Sequence, residues 1–114
     1  MTTLNNILSA LSNAPNNAGI AELTRGLEKE NLRIKPNGTL ASSPHPKELG
    51  STLTHPHITT DYSEALVEFI TEPCADSTVT LQQLSELHAF SYRHLGDERL
   101  WPTSMPCMLG RDSD

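Results

Sequence analysis

The sequence predicts an α+β fold, because two helical patterns flank a central region with the composition of β-strands. Apolar residues recur at helical spacing in residues 4–11, and again in a longer run from residue 76 or 77 to residue 95. Between them, residues 22–35, 58–61 and 66–71 show the alternation or the β-branched, apolar content of strands. With 114 residues, the chain fits a single domain.

The N-terminal helix carries its apolar side chains on one face. These are Leu4, Ile7, Leu8 and Leu11. We expect the helix to dock on the rest of the molecule through this stripe, because an apolar helix face is normally buried. In the second helix, Thr80 and Gln83 resemble a capping box, and Gly96 is a signal for its end.

Turn and loop signals separate the predicted strands. The sequence Pro36-Asn37-Gly38 predicts a tight turn, after which residues 39–41 can return as a hairpin strand. Prolines and a glycine interrupt residues 42–57, which are therefore predicted to form a long irregular loop. Its histidines are expected to be exposed to solvent, because a His-x-His pair without a third fixed ligand is a weak metal signal. They are His45, His55 and His57.

Charge and composition argue against several classes of function. The formal net charge of -6 disfavours binding to nucleic acid or to an anionic membrane, since both need clustered Lys and Arg. No run approaches the roughly 20 apolar residues of a membrane span, and no secretory signal is recognisable, so we expect a cytoplasmic protein. Cys74 and Cys107 form no Cys-x-x-Cys pair and are expected to be reduced thiols.

Two carboxylates of the first predicted strand point to the same side of the sheet. A period of two puts Glu28 and Glu30 together on one face. Their Cβ atoms would lie roughly 7 Å apart, so the two charges repel each other unless a cation lies between them. Mg²⁺ takes oxygen ligands and usually binds carboxylates together with substrate phosphates. The two residues by themselves also fit an ordinary solvated face.

A third acidic residue strengthens the metal interpretation. Glu68 shares its strand face with Leu66 and Ile70, and an unpaired charge among apolar neighbours is costly. A cation would compensate that charge, and Asp61 and Glu64 add further carboxylates. The other interpretation is an ordinary cross-strand ion pair between Glu68 and a basic side chain. The candidate partners are Arg25, Arg33 and Lys29.

Four blocks of sequence occur in a specific order. They are residues 25–33 (RGLEKENLR), 50–55 (GSTLTH), 58–71 (ITTDYSEALVEFIT), and 96–102 with 104–107 (GDERLWP and SMPC). In this order the blocks closely resemble the amino-terminal part of the proteobacterial glutamate-cysteine ligases. The resemblance covers nearly all of the chain from residue 19 onward, but only the first fraction of the family's longer protein.

The resemblance implies a reaction and a fold. The family joins the γ-carboxylate of L-glutamate to the amine of L-cysteine with ATP, through an acyl phosphate, in the first step of glutathione synthesis. Its fold is similar to that of glutamine synthetase, with an open antiparallel sheet and flanking helices around a funnel-shaped site. Magnesium ions, which manganese can replace, would neutralise charge on the transferred phosphoryl group.

The resemblance also implies roles for individual residues. The positions that match the family's metal ligands are Glu28, Glu30, Asp61 and Glu68. Tyr62 matches an aromatic position that lines the pocket for the cysteine substrate. No residue of this chain is assigned a catalytic role, because the nucleotide pocket and the phosphate-binding cations lie elsewhere in the family's protein.

The organisation expected from the resemblance is a part of a larger enzyme. Residues 1–114 would form the amino-terminal portion of a single larger catalytic domain, whose remainder is the chain's partner and without which the chain is inactive. Two other interpretations remain open from the residues alone. One is a divalent-metal-binding module without chemistry, and the other is a structural domain whose carboxylates are salt-bridged.

Overall fold

The structure is a computed structural model, and it describes residues 2–13, 22–51 and 54–110. These residues form two α-helices, four β-strands and one short 3-10 turn. In chain order the elements are α1 (Thr2–Asn13), β1 (Glu28–Ile34), the 3-10 turn (Lys47–Leu49), β2 (Ile58–Thr60), β3 (Leu66–Ile70), α2 (Ser77–Tyr92) and β4 (Arg99–Leu100). The α+β class predicted from the sequence is therefore confirmed.

The four strands form one antiparallel sheet in the order β2-β3-β1-β4. The register between β1 and β3 places Glu30 directly opposite Glu68. On the other side of β3, Thr59 of β2 is opposite Glu68 as well. Glu68 therefore has a strand on each side, and its side chain projects from the middle of the sheet.

β1 begins at Glu28, so the prediction of a strand over residues 22–35 is wrong at its start. The ladder becomes irregular at Leu27, whose N–H donates to the hydroxyl of Thr71 at 2.8 Å instead of to a carbonyl. Two residues after Thr71, Pro73 has no N–H to donate. A side chain and a proline thus interrupt the regular ladder, which resumes only as an isolated antiparallel bridge between Arg25 and Cys74.

The hydrophobic core lies on one face of the sheet, beneath α2. Val67 and Phe69 of β3 are fully buried on this side, whereas Leu66, Glu68 and Ile70 point to the other side and are half-buried. The remaining core side chains are Leu49, Ile58, Leu95 and Leu100, with Leu87 and Phe90 packed against them. We call the side of Val67 and Phe69 the core face and the side of Glu68 the open face.

The N-terminal helix forms as predicted, but its predicted docking is wrong. Its apolar stripe remains exposed, with Leu4 at 65%, Ile7 at 50%, Leu8 at 52% and Leu11 at 46%. The spacing of these residues specifies a helix with one apolar side. It does not specify what that side packs against.

The predicted turn at residues 36–38 is confirmed. Gly38 adopts a positive φ of 84°, which a glycine tolerates best, and its N–H donates to the carbonyl of Lys35. Leu40 then bridges back to Ile34, so the return predicted for residues 39–41 occurs as isolated bridges. The loop that follows contains only the 3-10 turn in its described residues.

The loop histidines are partly buried, so the prediction that they are exposed is wrong. His55 shows the reason, because its Nδ1 accepts hydrogen bonds from the N–H groups of His57 (3.1 Å) and Ile58 (3.0 Å). The ring therefore fixes the backbone where β2 begins. The His55 side chain thus satisfies two main-chain donors, which explains its partial burial.

α2 begins where predicted and ends three residues before Leu95, at Tyr92. Its N-cap is Asp76, whose carboxylate accepts from the N–H of Thr78 at 2.7 Å. The predicted capping box is wrong, since Thr80 lies inside the helix and Gln83 accepts a hydrogen bond from Glu72. Neither helix in the described part of the chain has the length and apolar content needed to cross a membrane.

Candidate metal site

Three glutamates share the open face of the sheet. Glu28 and Glu30 project from β1 on the side away from the core, and Glu68 projects from β3 on the same side. Glu30 and Glu68 are direct cross-strand partners, so their side chains start from neighbouring points on the sheet. The strand register thereby brings together two segments that lie far apart in the chain.

The electrostatics of Glu68 show which other acids are near it. Partial burial raises the pKa of Glu68, and the negative charges of Glu28, Asp61 and Glu30 raise that pKa further. The carboxylates that act on Glu68 are therefore the same ones that the sequence predicted as its companions in a metal site. Glu64 is different, because its charge acts on His45 and its backbone carbonyl accepts from Arg33.

The basic side chains of β1 do not neutralise this cluster. Lys29 and Arg33 alternate with the glutamates and therefore lie on the core face. There Lys29 donates to Asn31, and Arg33 forms an ion pair with Glu98 at 2.6 Å. Within residues 22–51 and 54–110, the open-face acids form no ion pair, so the cross-strand ion pair considered for Glu68 does not form.

The arrangement is not a ready-made chelate. Among the residues that the structure describes, no three His, Cys, Asp or Glu side chains are arranged to hold a metal ion. Four acids with no counter-cation nonetheless have the oxygen ligands and the negative charge that a hard divalent cation prefers. Glutamate side chains are long and rotatable, so rotamer changes can move their carboxylates toward a shared ion.

Two cavities each have a carboxylate of the cluster in their lining. One of about 550 Å³ includes Glu30, Leu32, Leu66, Trp101 and the segment 102–106 in its lining. Another of about 430 Å³ contains Glu28 in its lining. Sequence reasoning missed the wall formed by Trp101 and residues 102–106, although a lone tryptophan in a proline-rich extended segment was a usable signal.

Asp61 and Tyr62 lie just beyond β2, in the loop that leads to β3. Both are exposed, and Tyr62 is 96% exposed. A tyrosine this exposed contributes almost nothing to packing within the described residues. Its side chain is available to a ligand or to another protein segment.

The chain is similar to known glutamate-cysteine ligases. A family model described as glutamate-cysteine ligase matches residues 8–114. The glutamate-cysteine ligases of Alcanivorax borkumensis and Shewanella amazonensis are 55% and 52% identical to the chain over 114 residues. Both matches cover 100% of this chain and 22% of the relative, so the chain spans about a fifth of the length of these relatives.

Solved structures show the same similarity. A glutamate-cysteine ligase from Francisella tularensis in complex with AMP matches with a TM-score of 0.72 and 41% identity, over 76% of this chain and 18% of that one. A bifunctional glutathione synthetase from Pasteurella multocida matches with a TM-score of 0.73 and 36% identity, over 80% of this chain and 13% of that one.

Proposed function

The chain belongs to the glutamate-cysteine ligase family, and from this premise we propose that its open face forms one wall of a ligase active site. The reaction is the ATP-dependent joining of the γ-carboxylate of L-glutamate to the amine of L-cysteine. ATP phosphorylates the γ-carboxylate, the amine attacks the resulting acyl phosphate, and phosphate leaves. This is the first step of glutathione synthesis.

The chain's contribution is to hold a divalent cation. Its ligands are Glu28, Glu30, Asp61 and Glu68. Bound Mg²⁺, or Mn²⁺ in its place, would neutralise charge on the phosphoryl oxygens during transfer. The glutamates are placed by the β1–β3 register and the aspartate by the loop after β2, so these elements would set the position of a bound cation.

One observation carries the proposal. Glu28 and Glu30 of β1 and Asp61 of the loop after β2 surround Glu68, whose pKa is raised by burial and by these like charges, and no basic group among the described residues pairs with them. A protein that needed these acids only for solubility would gain stability by separating them. Their convergence costs stability, and a cation that binds between them would recover it.

Tyr62 and the fold complete the proposal. Tyr62 is available to line the pocket for the cysteine substrate, since its ring is almost entirely exposed. Family membership supports a glutamine-synthetase-like architecture, in which this antiparallel sheet lines a funnel-shaped site together with the rest of the ligase. ATP, L-glutamate and L-cysteine as substrates favour a cytoplasmic location.

A segment exchange tests the proposal. This chain replaces the matching 114 residues of the Alcanivorax borkumensis ligase, with which it is 55% identical, and ADP release is measured with glutamate, cysteine, ATP and Mg²⁺. We expect an active chimera. Glu68→Gln should lower its kcat/KM by about 10- to 100-fold or more, since even groups that only support metal ligands cost that much.

The matched control is Glu48→Gln, which removes an exposed acid from the 3-10 turn, outside the open face. It should leave the rate unchanged. The 114-residue chain assayed alone should show no turnover, because it supplies only one wall of the site. A chimera that keeps full activity after Glu68→Gln and Glu28→Gln would overturn the metal role of this face.

A further inference from the structure

Arg33 is the most completely buried charge in the described part of the chain. Its residue exposure is 0%, and it lies on the core face of β1, three residues after Glu30. Its pairing with Glu98 at 2.6 Å compensates the charge. Stability alone does not require such a pair, because well-packed apolar residues of similar volume usually serve as well or better.

The guanidinium group connects three separate segments. Nη1 donates to Glu98 Oε2 and to the Ser43 hydroxyl, at 2.6 Å and 2.8 Å. Nη2 donates to the backbone carbonyls of Ser43 and Glu64, at 2.8 Å and 3.0 Å. The planar fork fixes the directions of all four contacts at once, which a lysine ammonium cannot do.

The contact with Glu64 reaches the loop that carries a proposed metal ligand. Residues 61–65 connect β2 to β3, and Asp61 begins this loop. Arg33 holds the far end of the loop twice, through its side chain to the carbonyl of Glu64 and through its N–H to the carbonyl of Ala65 at 2.7 Å. The side-chain contact with Glu64 is therefore made three residues from Asp61 in the sequence.

We infer that Arg33 is a positioning residue for the cation site. It acts from the core face by fixing the loop 61–65, and so sets the position of Asp61 relative to Glu68 on the open face. The inference rests on the proposed function for its role in metal binding. Its geometric part, the restraint on the loop, is independent of that function.

The first measurement needs no metal. Backbone order parameters are determined by NMR for residues 61–65 of the 114-residue chain and of Arg33→Lys, which keeps the charge but cannot make all four contacts. The order parameters should fall from about 0.85 toward 0.6 or below in this variant. Glu98→Gln, which leaves the contact with Glu64 in place, should not loosen the loop. Unchanged order in Arg33→Lys overturns the inference.

The second measurement is a double-mutant cycle on Mn²⁺ affinity, read by electron paramagnetic resonance of the free ion. Arg33→Lys should weaken Mn²⁺ binding by about 10-fold or more, as is typical of groups that orient ligands. In the Asp61→Asn background the same substitution should have almost no further effect, because Arg33 acts on Mn²⁺ binding through the carboxylate of Asp61, which this background lacks. Additive effects would mean that Arg33 supports only the general fold, and would overturn the inference.

The outcomes separate this inference from the proposed function. If the unsubstituted chain binds no Mn²⁺, the metal assignment fails and the order parameters alone decide the role of Arg33. If Arg33→Lys does not fold, the double variant Arg33→Gln/Glu98→Gln replaces it, since it removes both charges of the pair together with the guanidinium contact to Glu64. A change in the same direction then supports the inference, and an unaltered loop overturns it.

Discussion

The two faces of the sheet differ in whether their charged side chains have partners. On the core face, Arg33 is buried against Glu98 and Lys29 donates to Asn31, so each basic group has a partner. On the open face, Glu68 has acidic neighbours and an elevated pKa. Strand alternation in β1 sends the bases to one side and the acids to the other. Basic side chains thus lie close to the acids in the chain, yet the acids remain unneutralised. This arrangement points to a function for the open face.

The largest effect is expected when the core-face pair is broken. Arg33→Met leaves Glu98 partly buried without its partner and removes four hydrogen bonds. The free energy of unfolding should fall by about 3–5 kcal/mol, as for other broken buried pairs. Urea denaturation of the two proteins measures this difference. A loss below about 1 kcal/mol would mean that the buried pair on the core face contributes no more to the free energy of unfolding than the charges on the open face do.

A single substitution can give an acid on the open face a basic partner, as on the core face. Glu30→Lys places a fixed positive charge directly opposite Glu68. It should raise the free energy of unfolding by about 1 kcal/mol in the absence of divalent cations, through a favourable cross-strand pair in place of a repulsive one. The same variant should lose Mn²⁺ binding. Higher stability together with retained binding would separate Glu30 from the cation site.

Removal of one open-face charge should also stabilise the protein, by a smaller amount. Glu68→Gln eliminates the repulsion from its acidic neighbours and should raise the free energy of unfolding by about 0.5 kcal/mol in a metal-free buffer. Thermal denaturation with a chelator present measures the change. Glu48→Gln, on the exposed 3-10 turn, provides the control and should have no effect. A destabilised Glu68→Gln variant would mean that the carboxylate has a favourable partner.

The pH dependence is the smallest expected effect. Because the folded pKa of Glu68 lies above its unfolded value, the folded state holds this proton more tightly. The resulting stability is fully present below the ordinary carboxyl pKa of roughly 4.3 and is lost as the pH rises through the folded pKa. Urea midpoints from about pH 4 to about pH 7 should therefore decrease less in Glu68→Gln than in the unsubstituted chain. Identical slopes of the urea midpoint against pH in the two proteins would contradict a raised pKa of Glu68 in the folded state.

The sequence predicted the elements that depend on local pattern. The α+β class, α1, the turn at residues 36–38 and the shared face of Glu28 and Glu30 all follow from periodicity or from turn chemistry. The residues themselves indicated Glu68, with Asp61 and Glu64, as companions of the two glutamates, and the family blocks then selected Asp61 and Glu68. Periodicity alone placed Glu68 among apolar neighbours but could not give the β1–β3 register that sets it opposite Glu30.

What the sequence could not supply are contacts between distant segments. Arg33 was a candidate partner for Glu68, but its ion pair is with Glu98, and strand alternation puts its side chain on the other face. The late start of β1 at Glu28 depends on a hydrogen bond from Leu27 to the Thr71 side chain, which no pattern in either segment indicates. The exposure of α1 is of the same kind, because an apolar stripe does not identify the surface that covers it.

The central claim is that acids from β1, β3 and the loop after β2 together bind a divalent cation. Titration of Mn²⁺ into the 114-residue chain, with free Mn²⁺ measured by electron paramagnetic resonance, tests it most directly. We predict saturable binding that persists in Glu48→Gln and is lost in the double variant Glu30→Gln/Glu68→Gln. Binding that does not saturate, or that is the same in all three proteins, would contradict the claim.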